Sequence, residues 1–170
     1  MQNDSIETSS VIVSTNEILF RIKKALKLSM EDMIEAYNLE DYKMDGVHLD
    51  ALLKRRQEKG FELCSYEELG IFLDGLVTLK RGPSPKKDDA EAVELTHNLI
   101  LKKLRIALKL KEAETEIIFG LAEIELTKQQ LASLFRKESH KNFKPCSGEL
   151  LMSFLEGLDE FYFIGGDMEE

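Results

Sequence analysis

Few residues in this 170-residue chain have the type and spacing to do chemistry. Its two cysteines, Cys64 and Cys146, stand alone: neither belongs to a C-x-x-C pair, and no zinc spacing is present. Isolated cysteines of this kind behave as small buried apolar residues in a reducing compartment. The histidines His48, His97 and His140 share no ligand spacing. His140 and Cys146 lie in one expected loop, but a single pair is not a metal site. There is no Gly-rich phosphate loop, no G-x-S-x-G and no H-E-x-x-H. Glu112, Glu114 and Glu116 alternate, so on a helix they point in different directions and form a solvated face. The sequence therefore offers no catalytic, cofactor-binding or metal-binding residue, and the chain reads as a non-enzyme.

The cations are more organised. Lys54, Arg55, Arg56 and Lys59 form one basic segment, and Arg136, Lys137, His140 and Lys141 form a second, 82 positions on. These eight are the candidate contacts for a nucleic acid or another partner. Basic residues in a last helical turn also complement the helix dipole, and long cationic side chains cover apolar surface. Those two roles are the plainer account of the same residues.

The recurrence at 82 residues runs through the whole chain and defines the elements that must carry these cations. Ala25-Leu26-Lys27-Leu28 returns as Ala107-Leu108-Lys109-Leu110, Cys64-Ser65 as Cys146-Ser147, and Phe72-Leu-Asp-Gly-Leu76 as Phe154-Leu-Glu-Gly-Leu158. Between positions 16 and 76, 20 of 61 residues are identical to their counterparts without a gap, which is a tandem duplication. The expected division is an N-terminal extension over 1–14, flexible, repeat one over 15–81, a Pro-containing charged linker over 82–96, repeat two over 97–158 and an acidic C-terminal tail over 159–170. Each repeat reads as four helices from its apolar spacing. Thr15 or Asn16 is a candidate cap for the first helix. Ser29, Asp45 and Ser65 suit the next three, with Ser65 and Glu68 at capping-box spacing.

One repeat of this size buries a marginal core. The expectation is an all-α protein in which two roughly four-helix repeats pack with pseudo-two-fold symmetry. Gly75 and Gly157 interrupt helical apolar stripes, where glycine is unfavourable. Together with Phe72 and Phe154 they are the candidates for inter-repeat packing, fourth helix against fourth helix.

The net charge of −9 and apolar content of 43% fit a globular chain. The acidity is uneven: the repeats carry −2 and +2, whereas the C-terminal tail alone carries −5. No apolar run approaches the ~20 residues of a membrane helix, and the N-terminus lacks a basic leader. The expected location is the cytoplasm, without a membrane partner.

The motifs Asn16-x-Ile-Leu-x-x-Ile-x-x-Ala-Leu-Lys-Leu28 and Phe72-Leu-Asp-Gly-Leu76, each present twice, resemble the YehS-like family of small bacterial proteins, a domain of unknown function (number 1456) that occurs twice per chain. Leu131-Ala-Ser-Leu-Phe-Arg-Lys137 and Lys80-Arg81-Gly82 add to the likeness, which spans residues 15–158. The resemblance implies a helical cytoplasmic bacterial protein and brings no activity or catalytic residue.

The leading expectation is a non-enzymatic interaction or adaptor module that binds an unknown protein or itself, with no cofactor. The exposed-looking run Phe161, Tyr162, Phe163 and Ile164 is expected to dock on the body. The alternative is nucleic-acid binding through duplicated helix-turn-helix-like units whose third helices end in basic segments at 54–59 and 136–144. Against it, the connection over 39–44 is longer than the usual turn. The face also offers few base readers beyond Gln129 and Gln130.

Overall fold

The computed structural model describes residues 13–83 and 94–169, with side chains as far as Ile164. Most of the N-terminal extension and of the linker, residues 1–12 and 84–93, lies outside the described residues.

Caps set where most helices begin. α1 (Thr15–Leu26) starts at Ser14, whose hydroxyl accepts the Glu17 amide at 3.0 Å. The cap is therefore neither Thr15 nor Asn16; both are buried and bonded elsewhere. α2 (Met30–Leu39) carries a Ser29–Asp32 capping box, α3 (Gly46–Leu52) begins at Asp45, and α4 (Tyr66–Arg81) carries the Ser65–Glu68 box. Repeat two follows with α5 (His97–Leu108) capped by Thr96, α6 (Glu112–Leu121), α7 (Lys128–Leu134) with a Thr127–Gln130 box, and α8 (Gly148–Glu169). Among the described residues there are eight helices and no strand.

The turns repeat as faithfully as the helices. Lys27 and Lys109 close α1 and α5 at φ 55° and 56°, and Asp41 and Glu123 follow α2 and α6 at φ 61° and 65°. An L-residue in this left-handed region is held there at a cost of about 1 kcal/mol, which glycine avoids. Glu123 is exposed. Glu123→Gly is therefore expected to raise stability by about 1 kcal/mol, read as a higher melting temperature.

Packing between repeats is an exchange. α1 of repeat one lies against α8 of repeat two, and α4 of repeat one lies against α5 of repeat two. Within a repeat, the second helix packs on the fourth, α2 on α4 and α6 on α8, while first and fourth helices barely touch. One continuous core results, with Ile18, Leu19, Phe72, Leu104, Phe119 and Phe154 all sealed from solvent. Lys103–Asp74 at 2.5 Å and Lys24–Asp159 at 3.1 Å tie the two exchange seams at their edges.

This arrangement corrects the expected place of Gly75, Gly157, Phe72 and Phe154. Close approach does occur at both glycines, but inside each repeat. A methyl group on Gly75 would collide with the Ala36 backbone carbonyl of α2, and one on Gly157 with the Ile118 carbonyl of α6. Phe72 stacks on Tyr37, centroids 5.7 Å apart, and Phe154 on Phe119 at 5.1 Å. The fourth helix needs its glycine because the second helix crosses it backbone to backbone; the other repeat's first helix takes its remaining face.

The segment expected as an acidic C-terminal tail is helical. α8 continues without a break past Leu158 through Glu169. Phe161 and Tyr162 pack against the core, Asp159 pairs with Lys24, and Lys27 sits over the ring of Phe163. Phe163 and Ile164 remain exposed.

Candidate functional site

Two sites stand out, one built from the expected cations and one that the sequence reading did not single out. The first is a groove of about 830 Å³ between α1 and the loop that follows α3. α1 contributes Glu17, Phe20, Arg21 and Lys24; the loop contributes Leu53, Lys54, Arg55, Arg56, Glu58 and Phe61. Arg56 lies over the Phe61 ring, its guanidinium carbon 5.4 Å from the ring centroid, within cation–π range. Arg21 pairs with Glu17, Lys54 with Asp50 and Lys24 with Asp159, whereas no ion pair holds Arg55 or Arg56 among the described residues. Phe20 is 43% exposed on the groove side of α1. Lys59 does not line the groove.

The counterpart in repeat two is a smaller cavity of about 180 Å³, lined by Lys102, Phe135, Arg136, Lys137 and Phe143 with Glu94 and Glu138. His140 and Lys141 are exposed outside it. The duplicated basic segments thus occupy equivalent places, but repeat one keeps the larger groove.

An asparagine side chain holds each groove loop, buried in repeat one and half-buried in repeat two. The Asn16 amide donates to the carbonyls of Leu52 (2.9 Å) and Glu62 (2.8 Å), and its oxygen accepts the Cys64 amide at 3.0 Å. Asn98 makes the same three bonds to Leu134, Lys144 and Cys146. Thr15 adds a bond to the Cys64 carbonyl. The asparagine therefore staples both ends of the loop to the helix that forms the opposite wall.

The second site lies behind that loop in repeat one. Here Nδ1 of His48 is 2.5 Å from Glu62 Oε1, and its Nε2 is 2.7 Å from Glu68 Oε2. Tyr42 donates to the same Glu68 oxygen at 2.5 Å, and the Ser65 amide reaches Oε1. Behind them Tyr37 is fully buried, with no hydrogen-bond partner for its hydroxyl among the described residues. The hydrogen bond to Glu68 raises the His48 pKa above its ordinary value; burial opposes this, and the Glu62 bond adds to it. Burial would raise the Glu68 pKa, but the bonds from Tyr42, His48 and Ser65 outweigh it and lower the value. Tyr42 is pushed up to about 12, chiefly by its bond to Glu68. Cys64 and Cys146 are buried, free of any disulfide, and pushed up to about 12 by that burial.

The signs follow. A raised histidine stabilises the fold fully below its ordinary 6.5 and loses that contribution as pH rises through its folded value. A lowered carboxylate stabilises above its ordinary 4.5 and loses that contribution as pH falls through its folded value. Both act together between those two ordinary values.

None of this polar cluster is shared by repeat two. At the equivalent positions Tyr37, Tyr42, His48, Glu62 and Glu68 give way to Phe119, Ile124, Gln130, Lys144 and Leu150. The signal was present in the sequence as a block of divergence inside an otherwise faithful repeat. The alternative of helix-turn-helix-like units gains no support in repeat one. Six residues, 40–45, separate α2 from α3, and α3 presents Val47 and Asp50 outward while His48 is held by carboxylates.

Fold and site together define a duplicated all-helical protein with exchanged first helices and a basic groove. The chain belongs to the family described as a protein of unknown function (DUF1456), whose model matches residues 15–82 and again 97–162. It is similar to a protein of Escherichia coli (strain K12) named "Uncharacterized protein YehS", 31% identical over 148 residues that cover 85% of this chain and 93% of that relative. No solved structure matches the chain. No helix among the described residues is long and apolar enough to cross a membrane.

Proposed function

We propose that this protein is a non-enzymatic interaction module of the cytoplasm that takes an acidic peptide segment of a partner protein in the repeat-one groove. The observation that carries this is the convergence of Arg21, Lys24, Lys54, Arg55 and Arg56 around Phe20 and Phe61 in one groove. Arginines without an ion pair, beside exposed aromatic and aliphatic walls, suit carboxylates that alternate with apolar side chains. A nucleic acid fits less well. The two basic segments do not form the matched faces that would straddle a duplex: Lys59, His140 and Lys141 lie outside the cavities, and the repeat-two cavity is about 180 Å³ against about 830 Å³ in repeat one. The two free, buried cysteines support a reducing compartment.

The test is fluorescence polarisation of labelled acidic peptides carrying one aromatic residue, against the wild type and a doubly reversed Arg55→Glu, Arg56→Glu variant. Binding that falls with salt and weakens at least ~10-fold in the variant is expected. The same variant should keep its melting temperature, since neither arginine is buried or ion-paired. Retention of binding in the variant rejects the groove, and preference for single- or double-stranded nucleic acid over every peptide replaces this reading.

A further inference from the structure

The His48 cluster touches the groove loop directly, and that contact has a consequence for how the groove behaves. Glu62 lies near the end of the loop: Asn16 holds its backbone carbonyl, His48 holds its side chain, and its neighbour Phe61 forms the groove wall under Arg56. Both partners of the His48 ring are carboxylates, which when ionised can only accept hydrogen bonds. An imidazolium donates from both nitrogens and satisfies both. A neutral imidazole has one N–H and one lone pair, so one of the two contacts becomes a lone pair facing an anionic oxygen. Glu68 is the better anchored partner, since it is 9% exposed and also bonded to Tyr42 and the Ser65 amide. Glu62 is exposed, so its contact is the one that opens.

We propose that His48 is a pH-dependent latch on the outer end of the repeat-one groove loop, closed while the ring is doubly protonated and released when it becomes neutral. The part concerning the groove's affinity rests on the reading given under Proposed function. A latched loop presents Arg55, Arg56 and Phe61 already ordered, so the groove binds an acidic segment more tightly with the latch closed. The titratable groups around the ring come from the loop, α2, α3 and α4. Glu62 and Glu68 contact it from the loop and α4, Tyr42 reaches it through Glu68, and Asp45 accepts the His48 backbone amide at 2.7 Å. Glu67 is exposed at the start of α4. Tyr37 and Cys64 lie buried behind and stay neutral well above pH 8. His48 is therefore the group of this cluster whose proton changes near neutrality.

Repeat two supplies an internal control, because its loop has the same asparagine staple but Gln130 in place of the histidine and Lys144 in place of Glu62. The experiment is amide exchange on the full chain at several pH values from about 6 to 9, expressed as protection factors so that intrinsic base catalysis is removed. Protection over residues 54–64 is expected to fall about fivefold across that range, as one charge-assisted hydrogen bond is lost. Residues 136–146 should show no such fall, since the imidazoles there bridge no carboxylates: His140 only accepts the Asn142 amide at 2.9 Å, and His97 reaches only the Cys146 carbonyl at 3.1 Å. His48→Gln should flatten the response, and Glu62→Gln should bring the His48 titration, followed by NMR, back toward its ordinary value. The latch is overturned if both loops respond alike or if His48→Gln leaves the response intact. A labelled acidic peptide then tests control of the groove, with about fivefold weaker binding expected above the His48 transition. Equal affinity on both sides of that transition overturns control of the groove by the latch. If the peptide binds at neither pH, the groove reading fails, and the exchange data decide the latch by themselves.

Discussion

Gly75→Ala is expected to destabilise the protein by about 3 kcal/mol, with Gly157→Ala close behind. The sign is what makes the experiment informative. Replacing a glycine inside a helix by alanine ordinarily stabilises by up to ~1 kcal/mol. Here the added methyl would fall on a backbone carbonyl, Ala36 for Gly75 and Ile118 for Gly157, and a carbonyl in a packed helix cannot swing aside as a long side chain would. The helices must separate, and the Tyr37–Phe72 and Phe119–Phe154 stacks beside the crossings separate with them. Gly120 is the matched control, since nothing lies within 4 Å of its would-be methyl. Gly120→Ala should hold or raise the melting temperature, while Gly75→Ala lowers it by roughly 6–12 °C. Similar melting of all three variants would show that the second and fourth helices do not cross so closely.

Asn16→Ala is expected to cost about 3 kcal/mol as well, by a different route. The substitution removes one side chain and strands three backbone groups, the carbonyls of Leu52 and Glu62 and the amide of Cys64. Asn16 is 5% exposed, so water reaches these groups poorly and their desolvation is not recovered. Asn98 makes the same bonds in a more open setting, so Asn98→Ala should cost about half as much. Chemical denaturation of the two variants gives both values. A loss under ~1 kcal/mol for Asn16→Ala would mean that solvent replaces the amide there, and equal losses would mean that the difference in burial between the two asparagines has no effect.

Much of the architecture is legible in the sequence because the duplication prints every local signal twice. The apolar stripes of α1 and α5, and the caps at Ser29, Asp45, Ser65 and Thr127, depend on neighbours three or four residues away, and spacing reads them directly. The exchange of first helices between repeats is not local. An apolar face says that a helix must be covered, not which copy covers it, so spacing alone places Gly75 and Gly157 at a different crossing from the one they occupy. Asn16 is a related case. Its recurrence as Asn98 is visible, but its three partners lie 36 to 48 residues away and are backbone atoms, which leave no trace in side-chain patterning. The His48 cluster escaped for the opposite reason. It is made of differences between repeats, while a search for duplication rewards agreement. The continuation of the last helix is hidden by charge: five acids after Leu158 mark a tail, although Asp159 finds Lys24, and only the docking of the aromatic pair is legible from its apolar character.

The exchanged helices bear on how such a protein can change over generations. Each repeat's first helix packs chiefly on the fourth helix of the other repeat, so the two share one core, as the subunits of a homodimer can. In a homodimer each substitution is inherited at both symmetric positions, and a change that sharpens one surface disturbs its twin equally. Fusion of the two halves into one polypeptide breaks that bond. Repeat two can then fill its interior with Phe119, Ile124 and Leu150 and serve as the scaffold. Repeat one is left to place tyrosine, histidine and glutamate where packing alone would favour hydrocarbon.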